Sequence, residues 1–224
     1  MKIAVIGTGV VGRTLAARLA ELEHSVAVGT RDVSATHSRM DSDGGVSFAD
    51  WLAAHPDISL LDFAAAGRFG EVVVNATNGA ASMQALIGVG ADNLAGKVLI
   101  DVANPLDFSQ GFPPTLLLKD NDSLAEEIQR GFPETRVVKT LNTVTADVMA
   151  RPDLVGDGGT SVFLSGDDPA AKAVATDLLR DMGWRDIIDL GDITTARGPE
   201  MYLPLWLRVM AAQGTALFNV HVVR

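Results

Sequence analysis

The chain of 224 residues predicts an α/β fold: a doubly wound parallel sheet with a C-terminal α/β extension and a long terminal helix. Three observations carry this expectation. The run Lys2-Ile3-Ala4-Val5-Ile6 leads directly into Gly7-Thr8-Gly9-Val10-Val11-Gly12, after which Val11, Leu15, Leu19 and Leu22 recur at helical spacing. Short β-branched runs, apolar on both faces, then alternate with helical patterns, as strands sandwiched between helices require. Apolar residues make up 47% of the chain, ample for one core.

The elements follow in order. Residues 25–28 form the second strand, ending in Gly29-Thr30-Arg31, and residues 31–45 are polar enough to read as a long loop. Residues 47–54 read as a short helix, and 58–63 as an apolar run compatible with strand or helix. Residues 71–75 and 97–101 are strands separated by a helix over 80–89. Residues 104–121, broken by Pro105, Pro113 and Pro114, read as an active-site loop. A helix over 124–130, a strand over 136–141, a short helix over 145–150 and a strand over 161–165 follow. The next helix has clear punctuation, with Asp168 as N-cap, Pro169 in the first turn and Gly183 beyond the end. Residues 185–190 give a last strand and 199–220 the long final helix. No linker or repeat divides the chain, so residues 1–224 read as one domain of Rossmann type. Residues 1–105 form its dinucleotide-binding core, and 106–224 an extension over the site.

Composition excludes several classes. The net charge is −10 without an extended basic patch, which argues against nucleic acid or an anionic membrane as partner. Cysteine is absent, so there is no disulfide framework or thiolate nucleophile, and a cytoplasmic location is expected. The apolar stretch 201–223 is interrupted by Arg208, Gln213, Asn219 and His221 and reads as a buried helix, not a membrane span. The four histidines show no metal-ligand spacing, so no metal site is expected.

A glycine-rich turn between a buried strand and a helix is the setting in which a dinucleotide binds. Gly7 permits the tight turn, Gly9 lets backbone approach a pyrophosphate, and Gly12 lets the helix pack on the strand. An NAD site places a carboxylate about 20 residues further on, for the ribose 2′-hydroxyl. Here that place holds Thr30 and Arg31, a hydroxyl and a guanidinium suited to a 2′-phosphate, so NADP(H) is favoured. Arg39 is a second, weaker candidate for the same phosphate. Ligands in such sheets lie beyond the carboxyl ends of the strands. Those ends add Asn75-Ala76-Thr77, Asn104 and Leu141-Asn142-Thr143. Asn75, Thr77 and Asn104 are candidates for the nicotinamide ribose or carboxamide, while Thr77 and Asn142 read equally well as helix caps. No acid–base constellation stands out, and no catalytic residue is assigned. That absence suits hydride transfer between two redox rings, which needs placement more than proton transfer.

Gly7 to Gly12 with Gly29-Thr30-Arg31, then Lys139-Thr140-Leu141-Asn142-Thr143, Gly166-Asp167-Asp168 and the segment around Leu205-Trp206 resemble, over essentially the whole chain, one known family. It is that of the NADP oxidoreductases dependent on the deazaflavin coenzyme F-420. The module is also similar to the cytoplasmic reductase domain of the Steap metalloreductases, where the acceptor is a flavin. The resemblance implies NADP(H) across the strand ends, its 2′-phosphate on Thr30 and Arg31. Thr8, Val10 and Val11 would line the pyrophosphate turn and the nicotinamide side. A deazaflavin ring would stack near Asn142, Thr143 and Val144 under the C-terminal helix. The resemblance also implies a homodimer. The resulting reading is hydride transfer between NADP(H) and F-420 or a flavin-like acceptor. Its alternatives are a small-substrate NADP dehydrogenase or imine reductase, and a non-catalytic NADP(H) sensor or partner module.

Overall fold

The computed structural model describes residues 1–39 and 46–224. Eight strands form one sheet: β1 (Lys2–Ile6), β2 (Ser25–Thr30), β3 (Ile58–Asp62), β4 (Val72–Asn75), β5 (Val98–Asp101), β8 (Arg136–Thr140), β9 (Ser161–Ser165) and β10 (Asp186–Asp189). A two-stranded hairpin, β6 (Leu106–Asp107) with β7 (Thr115–Leu116), stands apart within the stretch read as an irregular loop. The order in the sheet is β10-β9-β8-β5-β4-β1-β2-β3. From β3 to β8 every pairing is parallel, so the first strand is flanked by β2 and β4 and the order reverses there. That reversal opens a crevice at the carboxyl ends of β1 and β4.

The apolar strands explain the layers. In β1, Ile3 and Val5 face one core, with Leu15, Leu19 and Trp184, whereas Ala4 and Ile6 face the other, with Leu86, Leu99 and Ile128. Both faces are buried, so the strands carry continuous apolar runs and not an alternation. The Val10–Glu21 helix covers the first core and the Gly79–Val89 helix the second.

Besides that hairpin, the structure departs from the sequence expectation, or resolves what it left open, in four places. β9 pairs antiparallel with β8, and β10 is parallel to β9, so the last two strands run against the rest. The β8–β9 connection contains only the five-residue Ala146–Ala150 helix and two single 3-10 turns. Five residues span about 7.5 Å as helix but about 17 Å as strand, too short to carry the chain back to the far end of the sheet. The ambiguous run 58–63 is β3 followed by a Phe63–Phe69 helix, whose start Asp62 caps by accepting from the Ala65 N–H at 2.7 Å. Part of the polar stretch after Arg31 is a Val33–His37 helix capped by Asp32, which accepts from the Ala35 N–H at 2.9 Å. Of the rest of that expected loop, residues 40–45 lie outside the described residues.

The fourth departure concerns the terminal helix expected over 199–220. It is broken into a 3-10 turn at Ile193–Ala196, an Arg197–Met201 helix and a Leu203–Gln213 helix. Gly214, at φ +66°, ends the last of these. The final residues return along β9, where the Ser161 N–H donates to Val220 O at 2.9 Å and the Asn219 amide to Ser161 O at 2.9 Å. No helix among the described residues is long and apolar enough to cross a membrane.

Trp184 anchors the first core. It is 1% exposed, and its indole N–H donates to Met149 O at 3.1 Å, joining the end of the Pro169–Met182 helix to the Ala146–Ala150 helix. Trp184→Ala is expected to lower stability by about 3–5 kcal/mol, read as a lower urea midpoint at unchanged slope.

Candidate active site at the strand ends

The turn after β1 is held by backbone. The Gly7 N–H donates to Gly29 O at 3.1 Å, and the Ala76 N–H to Ile6 O at 2.9 Å. Gly7 has φ +125°, and a Cβ there would lie 2.5 Å from Ala76 O; a Cβ on Gly12 would lie 2.1 Å from Gly7 O. Both glycines are therefore demanded by packing. Gly9 differs, because a Cβ on it would meet nothing within 4 Å. It is also the N-cap of the Val10–Glu21 helix and makes no side-chain cap, which leaves the first N–H groups free to receive an anion.

Around this turn the expected residues separate into groups. Arg31 is exposed and makes no hydrogen bond or ion pair among the described residues. Thr30 is buried, and its hydroxyl is paired with that of Thr36 at 2.6 Å, so the expected second donor to a 2′-phosphate is engaged inside the protein. The Arg39 guanidinium lies on the glycine turn, donating to Thr8 O at 2.9 Å and Thr8 Oγ1 at 3.0 Å.

A cleft of about 440 Å³ opens beside Val10 and Val11. Its floor includes Ala76, Thr77, Asn104, Asn142 and Val144, and its roof Leu203, Trp206 and Leu207 from the last helix. Asn75, expected to reach a ligand, is 0% exposed and sits beneath the cleft. Its amide donates to Asp101 Oδ1 at 2.8 Å and Ser82 Oγ at 3.1 Å, and its Oδ1 accepts from the Thr77 hydroxyl at 2.7 Å. Asn75 thus orients Thr77 instead of facing solvent. The helix cap at this strand end is Asn78, which accepts from the Ala80 N–H at 3.0 Å, and not Thr77. Asn104 and Asn142 clasp each other across the floor: the Asn104 amide donates to Asn142 O at 2.9 Å and the Asn142 amide to Asn104 Oδ1 at 3.0 Å. Neither caps a helix. Leu141 before them holds φ +61°, a strained conformation for leucine that the surrounding contacts enforce. Thr143, expected on the acceptor side, is 2% exposed and lies outside the cleft lining.

Below the floor lies a cluster that the sequence reading missed as a unit. Lys139 Nζ is 2.8 Å from Asp101 Oδ2 and 2.8 Å from Glu200 Oε1, with all three side chains buried. Burial opposes the charge on Lys139, but Asp101 and Glu200 outweigh it and hold the ammonium above the usual lysine range. Burial pushes the Glu200 carboxyl up, with Lys139 pulling the other way. The available signal was a lysine inside the apolar strand run Val137-Val138-Lys139, since a lysine is almost never fully buried unless paired. The roof gave a weaker signal, because only the fold brings residues 203–207 over residue 142.

Residues 2–105 match the model of the NADP oxidoreductases dependent on coenzyme F-420. A crystal structure of a candidate F-420-dependent NADP reductase from Arthrobacter sp. FB24 is 55% identical, covers 100% of both chains and superposes with a TM-score of 0.96. The chain belongs to this family. The F-420-dependent NADP reductase of Methanocaldococcus jannaschii is 28% identical over 207 residues, 92% of this chain and 90% of that protein. Metalloreductase STEAP3 of Rattus norvegicus is 31% identical over 210 residues, 92% of this chain, which spans 38% of that longer protein. The protein is accordingly an oxidoreductase of the NADP-dependent class, with an α/β fold of Rossmann type.

Gly9 and Gly12 should separate experimentally. Gly9→Val is expected to keep a wild-type urea midpoint and to lose NADPH binding in a fluorescence titration. Gly12→Ala is expected to lose about 1–3 kcal/mol of stability, because its Cβ would strike backbone that cannot move aside.

Proposed function

We propose that the protein transfers a hydride between NADP(H) and the deazaflavin coenzyme F-420 or a flavin-like acceptor. The observation that carries this reading is the chemistry of the cleft. Among the described residues its lining holds no aspartate, glutamate, histidine, lysine, arginine or tyrosine. A carbonyl or imine substrate needs a proton donor at the reacting atom. Two stacked redox rings need apolar walls and accurate placement. The apolar part of the cleft wall, with Val10, Val11, Leu203, Trp206 and Leu207, supports this reading.

In this reading the free N–H groups following Gly9 hold the pyrophosphate, and Thr8, braced by Arg39, shapes the turn around it. Arg31 meets the 2′-phosphate, where a guanidinium forms two charge-assisted hydrogen bonds. Thr77 and Asn104 are the polar groups available to the nicotinamide ribose and carboxamide. Asn142 and Val144, roofed by Trp206, form the acceptor side. When bound, the nicotinamide gives or takes the hydride. The chain's own part is to hold the two ring faces together and to exclude water between them.

Arg31→Ala is expected to weaken NADPH binding by ~1.5–3 kcal/mol and to leave NADH binding little changed; equal losses for both would remove Arg31 from the 2′-phosphate. The acceptor is tested by anaerobic stopped-flow absorbance of the NADPH-loaded protein, challenged separately with F-420, FMN and FAD. Rapid oxidation with F-420 alone is expected for the deazaflavin reading. Oxidation with a flavin would make the acceptor a flavin. Tight NADPH binding without turnover on any of them would refute the proposed acceptors and favour a small substrate or a sensor role.

A further inference from the structure

Glu200 is 1% exposed and touches no part of the cleft, yet it holds three donors at once. Its Oε1 lies 2.8 Å from Lys139 Nζ and accepts from the Ala125 N–H at 3.2 Å, while Oε2 accepts from the Leu124 N–H at 2.8 Å. It therefore caps the Leu124–Gly131 helix from a distant part of the chain. Its neighbour Pro199 accepts from the Asn142 amide at 2.9 Å, so the same short segment is pinned to the cleft floor. Directly after it, the Leu203–Gln213 helix carries the roof residues Leu203, Trp206 and Leu207. A buried ion cluster is seldom more stabilising than packed apolar side chains, but its contacts are directional and specify one arrangement.

We infer that Glu200 is a positioning residue, which docks the C-terminal arm on Lys139 and on the Leu124–Gly131 helix and so sets the height of the roof over the acceptor end of the cleft. The inference rests on the proposed function only in naming that end as the acceptor's. The cluster contains one ammonium and two carboxylates, so Glu200→Gln leaves Lys139 and Asp101 as a balanced pair. The core is then expected to stay folded while the arm loosens.

The test compares the full-length protein with its Glu200→Gln and Glu200→Asp variants by hydrogen exchange and by steady-state NADPH oxidation, using F-420 and FMN as probes. In Glu200→Gln, amides of 203–213 are expected to exchange at least tenfold faster, with β1 and β5 unchanged. NADPH affinity should stay within twofold, and the KM for the active probe should rise at least fivefold with kcat falling less than twofold. Glu200→Asp, which withdraws the carboxylate by one methylene, should move the same readouts less. Wild-type exchange of the arm in both variants would overturn the inference, as would acceleration spread equally through β1 and β5. If neither probe is turned over by the wild-type protein, the proposed acceptors fail, and the exchange comparison still decides the role of Glu200.

Discussion

The buried ammonium of Lys139 is the constraint to which the rest of the site is fitted. A charge removed from water is tolerated only when opposite charges and hydrogen bonds replace the lost hydration. Asp101 at the end of β5, Glu200 in the C-terminal arm and the carbonyl of Ala103 provide them. Each partner is itself held: Asp101 by Asn75 at the end of β4, and Glu200 by the first N–H groups of the Leu124–Gly131 helix. Through Asn75 the same network reaches Thr77 on the cleft floor. Floor and roof thus refer to a single point beneath them, although they come from widely separated parts of the chain.

Charge and apolarity are divided along the crevice. At one end, Arg39 donates to Thr8 on the glycine turn beside the uncapped helix N-terminus, and the exposed Arg31 follows β2, in a protein whose net charge is −10. At the other end, among the described residues, the cleft is lined by aliphatic, aromatic, thioether, hydroxyl and amide groups. A phosphate-bearing dinucleotide laid along this gradient would have its anionic part oriented by the first region and its redox ring delivered to the second. The glycine motif serves the same separation. Gly7 and Gly12 let β1, the following helix and the strand end at Ala76 come within contact, while Gly9 leaves space beside the free N–H groups.

Where a residue's role depends on its own neighbours in the chain, the sequence reading was sound. The β-branched runs of β1, β4 and β5 were recognised because strands buried on both faces must be apolar throughout. The start of the Pro169–Met182 helix was recognised because an N-cap and a first-turn proline are local devices. Where a partner is set by the fold, the sequence did not display it: Asn75 turns inward to Asp101, and the Thr30 hydroxyl is paired with that of Thr36 on the helix that follows β2.

By itself the sequence determined the α/β architecture, the glycine turn and the set of strand ends, since periodicity and steric demands at single positions are written into consecutive residues. Tertiary structure alone decided which polar side chains face the cleft, that β9 and β10 run against the other strands, and that the chain breaks at Gly214 and returns along β9. It also decided that Lys139, Asp101 and Glu200 form one cluster. The reason is physical: burial and pairing are properties of three-dimensional neighbours, and local spacing carries no record of which neighbour a buried charge will find.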